Sequence, residues 1–254
     1  MIYIIGANGF VGSAFVRWCE EQGQPYVGLT RENYNEHVGT ACDVLVNANG
    51  NSRKPLATQY PLKDFQMSVE SVVKSCIDFK FEKYMFLSSC DVYSYFATPE
   101  GNRESDPIDL SNVSRYGFHK LSAERYVEYA AKDYIIFRLG GMVGPGLKKN
   151  AVYDVTHGGP VWLDAGSELQ FMLTDDVASI AMSVGAQQSG RAINLCGTGV
   201  ISVQQMMDFY GKPVPVNPGS PKVRYEINTD LLQSLVTVPS TIETVRAYIE
   251  AAAS

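Results

Sequence analysis

Two spacings of apolar residues recur along this chain. Short apolar runs at Met1–Ile5, Pro25–Thr30, Asp43–Val46, Tyr84–Leu87 and Tyr134–Phe137 are rich in Val, Ile, Tyr and Phe. Such runs, bounded by polar or glycine-containing stretches, predict buried strands. Between them, apolar residues fall three and four apart, which predicts helices. The first helix spans Phe10–Glu21, with Phe10, Ala14, Phe15 and Trp18 facing a sheet, and Gly23 stops it. The second spans Phe65–Phe79, with Phe65, Val69, Val72, Val73, Cys76 and Ile77 on one face, and the third Tyr116–Ala131. Strands alternating with helices in this way predict an α/β fold with a parallel, doubly wound sheet.

After Gly146 the pattern loosens. A short helix opens at Lys148-Lys149-Asn150 and runs out near Gly158-Gly159-Pro160. Pro160–Asp164 reads as a strand, and a helix starts at Leu173 with Thr174 or Asp175 placed to cap it. Ala192–Leu195 is a short strand that can return to the main sheet, and Ser202–Phe209 is a small helix. Asn228–Ile249 reads as helix–loop–helix broken at Pro239, and Ala251–Ala253 as a frayed tail. Thr98–Asn112 is polar with two prolines and reads as a surface loop over a pocket.

The first strand runs straight into Gly6-Ala7-Asn8-Gly9-Phe10-Val11-Gly12. Strand, glycine turn and helix start are the order a Rossmann-type dinucleotide site needs. Gly6 permits the tight turn, Gly9 leaves room for a pyrophosphate, and Gly12 lets the helix pack closely. The helix N-terminus attracts the phosphates. An ordinary glycine turn has the same local appearance. Residues 1–146 are therefore expected to form mainly a dinucleotide-binding domain, and 147–254 mainly a small mixed C-terminal substrate lobe.

The second strand ends in Thr30-Arg31, where an NAD-binding fold usually places a carboxylate. An Arg fork pairs with a 2′-phosphate, which favours NADP(H); Arg31 can equally stack on adenine or stay solvated. Asn47-Ala48-Asn49-Gly50 lies at the carboxyl end of the third strand, where ligands bind in open α/β sheets. Arg53 and Lys54 follow in a loop, as phosphate ligands or as solvated cations.

Composition narrows the partners. The 254 residues are 45% hydrophobic and carry a net charge of -6. No basic footprint for nucleic acid is visible, and no apolar run is long enough to span a bilayer. The first residues read as a core strand, not a signal peptide. Five cysteines without a C-x-x-C pair read as reduced thiols of a cytoplasmic protein. The three histidines have no metal-ligand spacing; His119 points away from Tyr116, and His157 reads as a helix end.

The chemistry concentrates in Ser88-Ser89-Cys90-Asp91, at the end of the fourth strand, and in Tyr116…Lys120. Residues four apart share a helix face, so Lys120 can stand beside Tyr116 and keep its phenolate within reach. A Ser hydroxyl opposite would hold the same substrate oxygen. Asp91 is a further acid/base candidate, or a cap for its own loop.

With these segments in place, the chain resembles the extended short-chain dehydrogenase/reductase family, the NAD-dependent epimerase/dehydratase group. The likeness runs from Met1 to about Ile249. It rests on Gly6–Gly12, Leu87–Tyr93, Tyr116-x-x-x-Lys120, Arg138 with Gly144-Pro145-Gly146, and Asp175-Asp176-Val177-Ala178. It implies a catalytic triad of Ser89, Tyr116 and Lys120, with Lys120 also on the nicotinamide ribose. It implies that Gly6, Asn8, Gly9, Phe10, Val11, Gly12, Arg31, Asn47, Ala48, Asn49 and Ser88 contact the cofactor. The substrate would be a nucleotide sugar touching Asp91, Lys149 and Asn150.

Departures from the family pattern bear on the reaction. The C-terminal lobe is short, and Ser68 stands where the family usually has Asn. Family dehydratases place Asp then Glu after the catalytic hydroxyl; here Cys90 and Asp91 stand there. This favours a reductase or epimerase. The alternatives are a reductase of a small non-nucleotide carbonyl compound and a non-catalytic NAD(P)-sensing module. A homodimer is also implied, because helices Phe65–Phe79 and Tyr116–Ala131 form the dimer bundle in many relatives. Phe118, Leu121, Tyr126 and Tyr129 would lie there, or face the core.

Overall fold

The structure, a computed structural model, describes residues 1–253. In chain order the elements begin β1 (Ile2–Ile5), α1 (Gly12–Glu21), β2 (Tyr26–Leu29), β3 (Ala41–Asn47), α2 (Lys54–Gln59) and α3 (Pro61–Phe65). Next come α4 (Ser71–Asp78), β4 (Lys80–Ser89), α5 (Arg115–Ala130), β5 (Tyr134–Leu139), β6 (Gly141–Val143) and α6 (Ala151–Thr156). The chain continues with β7 (Glu168–Leu169), β8 (Phe171–Leu173), α7 (Thr174–Gln187), β9 (Arg191–Leu195) and β10 (Ile201–Ser202). It closes with α8 (Val203–Tyr210), α9 (Asp230–Leu235) and α10 (Thr241–Ala253). The Ala251–Ala253 tail thus continues a helix. None of the helices among the described residues is long and apolar enough to cross a membrane.

Two compact units emerge, and their boundary is not at residue 146. The first comprises 1–94, 107–139 and 177–193; the second comprises 95–106, 140–176 and 194–254. The segment expected to be a surface loop therefore contributes residues 98–106 to the second unit and 107–112 to the first. There Asn102 is fully buried, its amide donating to the carbonyls of Tyr95, Thr98 and Glu226.

In the first unit a six-stranded sheet has the order β2-β1-β3-β4-β5-β9, so the strand at Ala192–Leu195 does return. β1 pairs in parallel with both β2 and β3, and β4 with β3 and β5. Side chains alternate across it. Tyr3, Ile5, Leu45, Tyr84, Phe86 and Ile136 pack on one face with Val72 of α4 and Ala123 and Val127 of α5. On the opposite face Met85 and Ile135 lie against α7, where a Cβ on Gly185 would stand 2.4 Å from Met85 Cε. Helices on both faces make the sheet doubly wound. Lys83 Nζ donates to the carbonyls of Gly185 and Gln188, closing the end of α7 where a cation is favoured.

Several local expectations are corrected. The single helix expected over Phe65–Phe79 is α3, a π turn at Gln66–Glu70 and α4. The extra residue of the π turn advances the phase of the apolar stripe, so Phe65 is 43% and Ile77 71% exposed while Val69 and Val72 are buried. In α1 the buried residues are Gly12, Ala14, Phe15 and Cys19, with Phe10 and Trp18 half-buried. Lys54 begins a helix with Pro55 in its first turn, a position a proline tolerates. Pro160–Asp164 forms no strand: Val161 makes one isolated bridge, to Val216. Its partner segment holds Pro213, Pro215, Pro218 and Pro221, whose missing N–H groups preclude a ladder.

The second unit has its own core around Val143, Val152, Phe171, Val203, Met206 and Val245. α6 is capped by Asn150, whose Oδ1 accepts from the Tyr153 N–H at 2.9 Å. Ser202 and Gln205 form a capping box on α8. Of the residues expected at a dimer face, Phe118 and Tyr129 are exposed, Tyr126 is half-buried and Leu121 is buried.

One contact fixes α5 in the first unit. A Cβ on Gly117 would stand 1.8 Å from the Asp91 carbonyl oxygen, so helix and post-β4 turn touch backbone to backbone. The overlap outweighs the helix propensity gained by Ala. Gly117→Ala is therefore expected to destabilise the fold by about 2 kcal/mol. Urea unfolding checks this, and a midpoint at or above that of the unaltered chain would show that the turn yields without cost.

Candidate active site

In the sheet order, the topological switch lies between β1 and β3, whose connections leave in opposite directions. The crevice outside the strand ends there is bounded by the glycine turn after β1 and by Asn47–Gly50 after β3. Gly6 adopts φ +81°, and a Cβ on it would lie 3.2 Å from the Ala48 and Asn49 backbone. A Cβ on Gly12 would stand 2.1 Å from the Gly6 carbonyl oxygen. The first and third glycines thus let turn, helix and neighbouring strand close up, while Asn8 and Gly9 stay exposed. Gly9 N–H donates to Gly6 O at 2.8 Å, and Phe10 and Val11 are half-buried beside the turn.

After β2, Asn33 builds a tight turn: its Oδ1 accepts from Thr30 N at 2.7 Å, and its Nδ2 donates to Gly28 O at 2.9 Å. The turn presents Arg31 to solvent. Asn47 closes β3. It is fully buried, with Nδ2 donating to Tyr84 OH at 2.7 Å and Oδ1 accepting from Asn49 N at 3.0 Å. Its side chain shapes the turn instead of facing the crevice.

The end of β4 carries the acid/base candidates Ser89 and Asp91. Ser89 Oγ donates to Asp91 Oδ2 at 3.0 Å, and the Asp91 N–H donates back to Ser89 Oγ at 3.2 Å. Asp91 therefore braces its own turn. Its Oδ1 also pairs with Lys54 Nζ at 2.7 Å, so Lys54 is more than a solvated cation. Ser88 is bonded within the first unit. Its Oγ donates to Glu124 Oε1 at 2.5 Å, so its hydroxyl is used inside the protein. Glu124 is in turn held by Arg138, with Nη2 to Oε2 at 2.8 Å, and Arg138 Nη1 donates to Tyr93 OH at 2.8 Å.

Tyr116 and Lys120 share the buried face of α5. Burial, and then the Asp91 charge, push the Tyr116 phenol above its ordinary range, against the lowering influence of the Ser89 hydroxyl. Desolvation penalises the phenolate. Lys120 is 5% exposed, and burial lowers its ammonium to about 8, against the raising influence of Glu124, Asp64 and Asp91. Among the described residues its hydrogen-bond acceptor is Leu87 O, at 3.3 Å. A Cβ on Gly50 would stand 3.0 Å from Nζ, so the ammonium reaches the crevice turn. A buried cation with donors still unspent beside that turn fits the ribose hydroxyls of a dinucleotide.

Sequence reasoning missed Asp64 and misjudged His119. Both are buried, with His119 Nδ1 2.6 Å from Asp64 Oδ2, so this histidine does carry a specific contact. Glu124 was also missed, although it follows Lys120 by four residues on the same helix. In the second unit Lys149 is exposed. Asn150 gives its Oδ1 to the α6 cap and its Nδ2 to Met142 O at 2.9 Å, so its side chain has a structural role.

A sequence profile of the NAD dependent epimerase/dehydratase family matches residues 2–196. No curated protein matches the chain. The fold is similar to that of Thermotoga maritima UDP-glucose 4-epimerase with UDP-glucose, at 18% identity over 98% of this chain and 97% of that one, TM-score 0.76. It is also similar to a UDP-glucuronic acid 4-epimerase variant from Bacillus cereus in complex with a fluorinated UDP-sugar and NAD, at 16% identity over 98% and 99%, TM-score 0.75. A third is dTDP-4-dehydrorhamnose reductase from Bacillus anthracis in complex with NADP, at 15% identity over 97% of each chain, TM-score 0.77. These identities speak for the fold. The profile spans well over half of the residues and covers the glycine turn, Ser89, Tyr116 and Lys120; the chain belongs to the NAD dependent epimerase/dehydratase family.

Proposed function

We propose that this chain is a reductase or epimerase acting on a nucleotide-activated sugar, with NADP(H) favoured over NAD(H). The observation that carries the reading is the shared buried face of Tyr116 and Lys120 on α5, which Gly117 holds against the turn that follows Ser89. When bound, the nicotinamide supplies or accepts the hydride at the sugar carbon. Gly6 to Gly12 and the turn after β3 would hold the dinucleotide, and Lys120 would donate to its ribose.

The protein's own part is proton handling. Tyr116 gives a proton to the substrate oxygen as a carbonyl is reduced, or takes one as an alcohol is oxidised. Ser89 Oγ orients that oxygen. The phenol's raised proton affinity keeps Tyr116 protonated, as a proton donor for reduction requires. Lys120 keeps a positive charge near the phenol, lowering the cost when Tyr116 becomes an anion. Cys90 at the first position of the dehydratase carboxylate pair supports reductase or epimerase over dehydratase.

The substrate class rests on the family resemblance and on the UDP- and dTDP-sugar names of structurally similar proteins. One observation favours the alternative, a small non-nucleotide carbonyl compound: the Asn150 side chain is spent as a helix cap. Thermal-shift screening with UDP-, GDP- and dTDP-sugars separates the two, because only a ligand that binds the native state raises the melting temperature.

With the fold intact by circular dichroism, Tyr116→Phe is expected to lower turnover by about 100-fold or more. Turnover near that of the unaltered enzyme would remove the catalytic assignment. Arg31→Ser is expected to weaken NADPH binding about tenfold while leaving NADH binding in place, since one charge-assisted contact is lost. Equal effects on both cofactors would speak against a 2′-phosphate contact. The Lys120 ammonium is lowered to about 8, so turnover is expected to hold below that pH and fall as the proton leaves above it. A flat profile from pH 7 to about 9.5 contradicts that role.

A further inference from the structure

Asp64 has no place in the proton chemistry above, yet four elements meet at its side chain. It lies on α3 with no solvent exposure. His119 Nδ1, from α5, is 2.6 Å from Oδ2. Asn51 Nδ2, just past the crevice turn, donates to Oδ1 at 2.6 Å. Ser68 Oγ, from the π turn, donates to the same oxygen at 3.4 Å and accepts from Asn51 N at 3.4 Å. A second amide bond, Asn51 Nδ2 to Arg53 O at 2.9 Å, fixes Asn51 in that orientation. Burying a carboxylate this fully is costly unless its partners are worth keeping. Those partners lead to the active site. Asn51 follows Gly50, whose position abuts Lys120 Nζ, and His119 lies between Tyr116 and Lys120 in sequence.

We propose that Asp64 is a positioning residue: its buried carboxylate clamps the Gly50–Asn51 turn against Lys120 and keeps a negative charge near the Tyr116–Lys120 pair. This rests on the reading of those two residues as catalytic. Asp64 acts through others and touches no reacting atom. The charged and titratable groups around Lys120 are Glu124, Asp64 and Asp91, with Tyr116 one helical turn away. Those facing Tyr116 are Asp91 and Asp64. Asp64 raises the proton affinity of both, so it opposes the desolvation that would strip Lys120 of its proton. Glu124 is already shared with Arg138 and Ser88, whereas the groups bonded to Asp64 are His119 and two neutral side chains.

The test is Asp64→Asn, which keeps shape and removes charge. The primary readout needs neither substrate nor cofactor: the ¹³Cε shift of Lys120 in lysine-labelled protein, assigned by its loss in Lys120→Met. In the unaltered chain the midpoint is expected near 8. In Asp64→Asn it should fall by about one pH unit, because the favourable carboxylate is gone. The second readout is NADPH affinity by protein fluorescence at pH 6.5–7, expected to weaken about tenfold as the turn loosens. An unchanged Lys120 midpoint or an unchanged NADPH affinity overturns the proposal. If Asp64→Asn does not fold, Asp64→Asn combined with His119→Asn replaces the pair by two amides, and the same two outcomes decide. Failure here is distinct from failure of the catalytic reading: active Tyr116→Phe removes that reading without moving the Lys120 midpoint.

Discussion

A buried ammonium is the constraint around which the first unit is built. Lys120 sits on the inner face of α5, where water cannot hydrate it, and a charge so placed is retained only if opposite charges are arranged nearby. Three carboxylates meet the need from different parts of the fold. Glu124 comes from the next turn of α5, Asp64 from α3, and Asp91 from the turn after β4. Each is then committed elsewhere: Glu124 to Arg138, Asp64 to His119 and Asn51, Asp91 to Lys54 and Ser89. The result is a set of anchored charges, of which Asp64 and Asp91 act on both Tyr116 and Lys120. Burial and the acidic neighbours act in the same direction on the phenol and in opposite directions on the ammonium.

Geometry at this scale is set by backbone contact more than by side-chain fit. Gly12 brings α1 onto the Gly6 carbonyl, Gly117 brings α5 onto the Asp91 carbonyl, and Gly50 brings the crevice turn onto Lys120. At each place a single added carbon would require movement. Such contacts are stiff, because interiors packed to this density shift only as units. They fix Ser89 and Tyr116 relative to strand ends that are themselves locked by parallel pairing of β4 with β3 and β5.

Much of this was legible in the sequence, and what was legible was local. The five strand runs appear within a few residues of their expected places, and the glycine turn follows β1 as expected, because alternation and glycine spacing are properties of neighbouring residues. The pairing of Tyr116 with Lys120 on one helix face followed from helical spacing alone. Glu124 was available to the same reasoning and was passed over. Asp64 gave no signal: its importance comes from His119 and Asn51, one 55 and the other 13 residues away. The π turn was invisible because it changes the phase of an otherwise regular apolar stripe. The unit boundary was misplaced because residues 95–106 and 177–193 each join a unit that their position in the chain does not suggest. Asn47, Ser88 and Asn150 were assigned by position in a motif, and only tertiary hydrogen bonds reveal that their side chains are already occupied.

β2 is the outermost strand on its side of the sheet, and the link from it to β3 holds only a single 3₁₀ turn, Tyr34–His37. Because nothing is hydrogen-bonded beyond β2, residues 30–40 form the margin of the first unit. A chain can be lengthened at such a margin cheaply, since loop-closure entropy grows only with the logarithm of length. A crossover helix and an added strand inserted there would convert an exposed edge into sheet interior while leaving the Lys120 neighbourhood untouched. Arg31 stands at that same margin and faces solvent, so the charge there can be varied by substitution without disturbing the packed sheet.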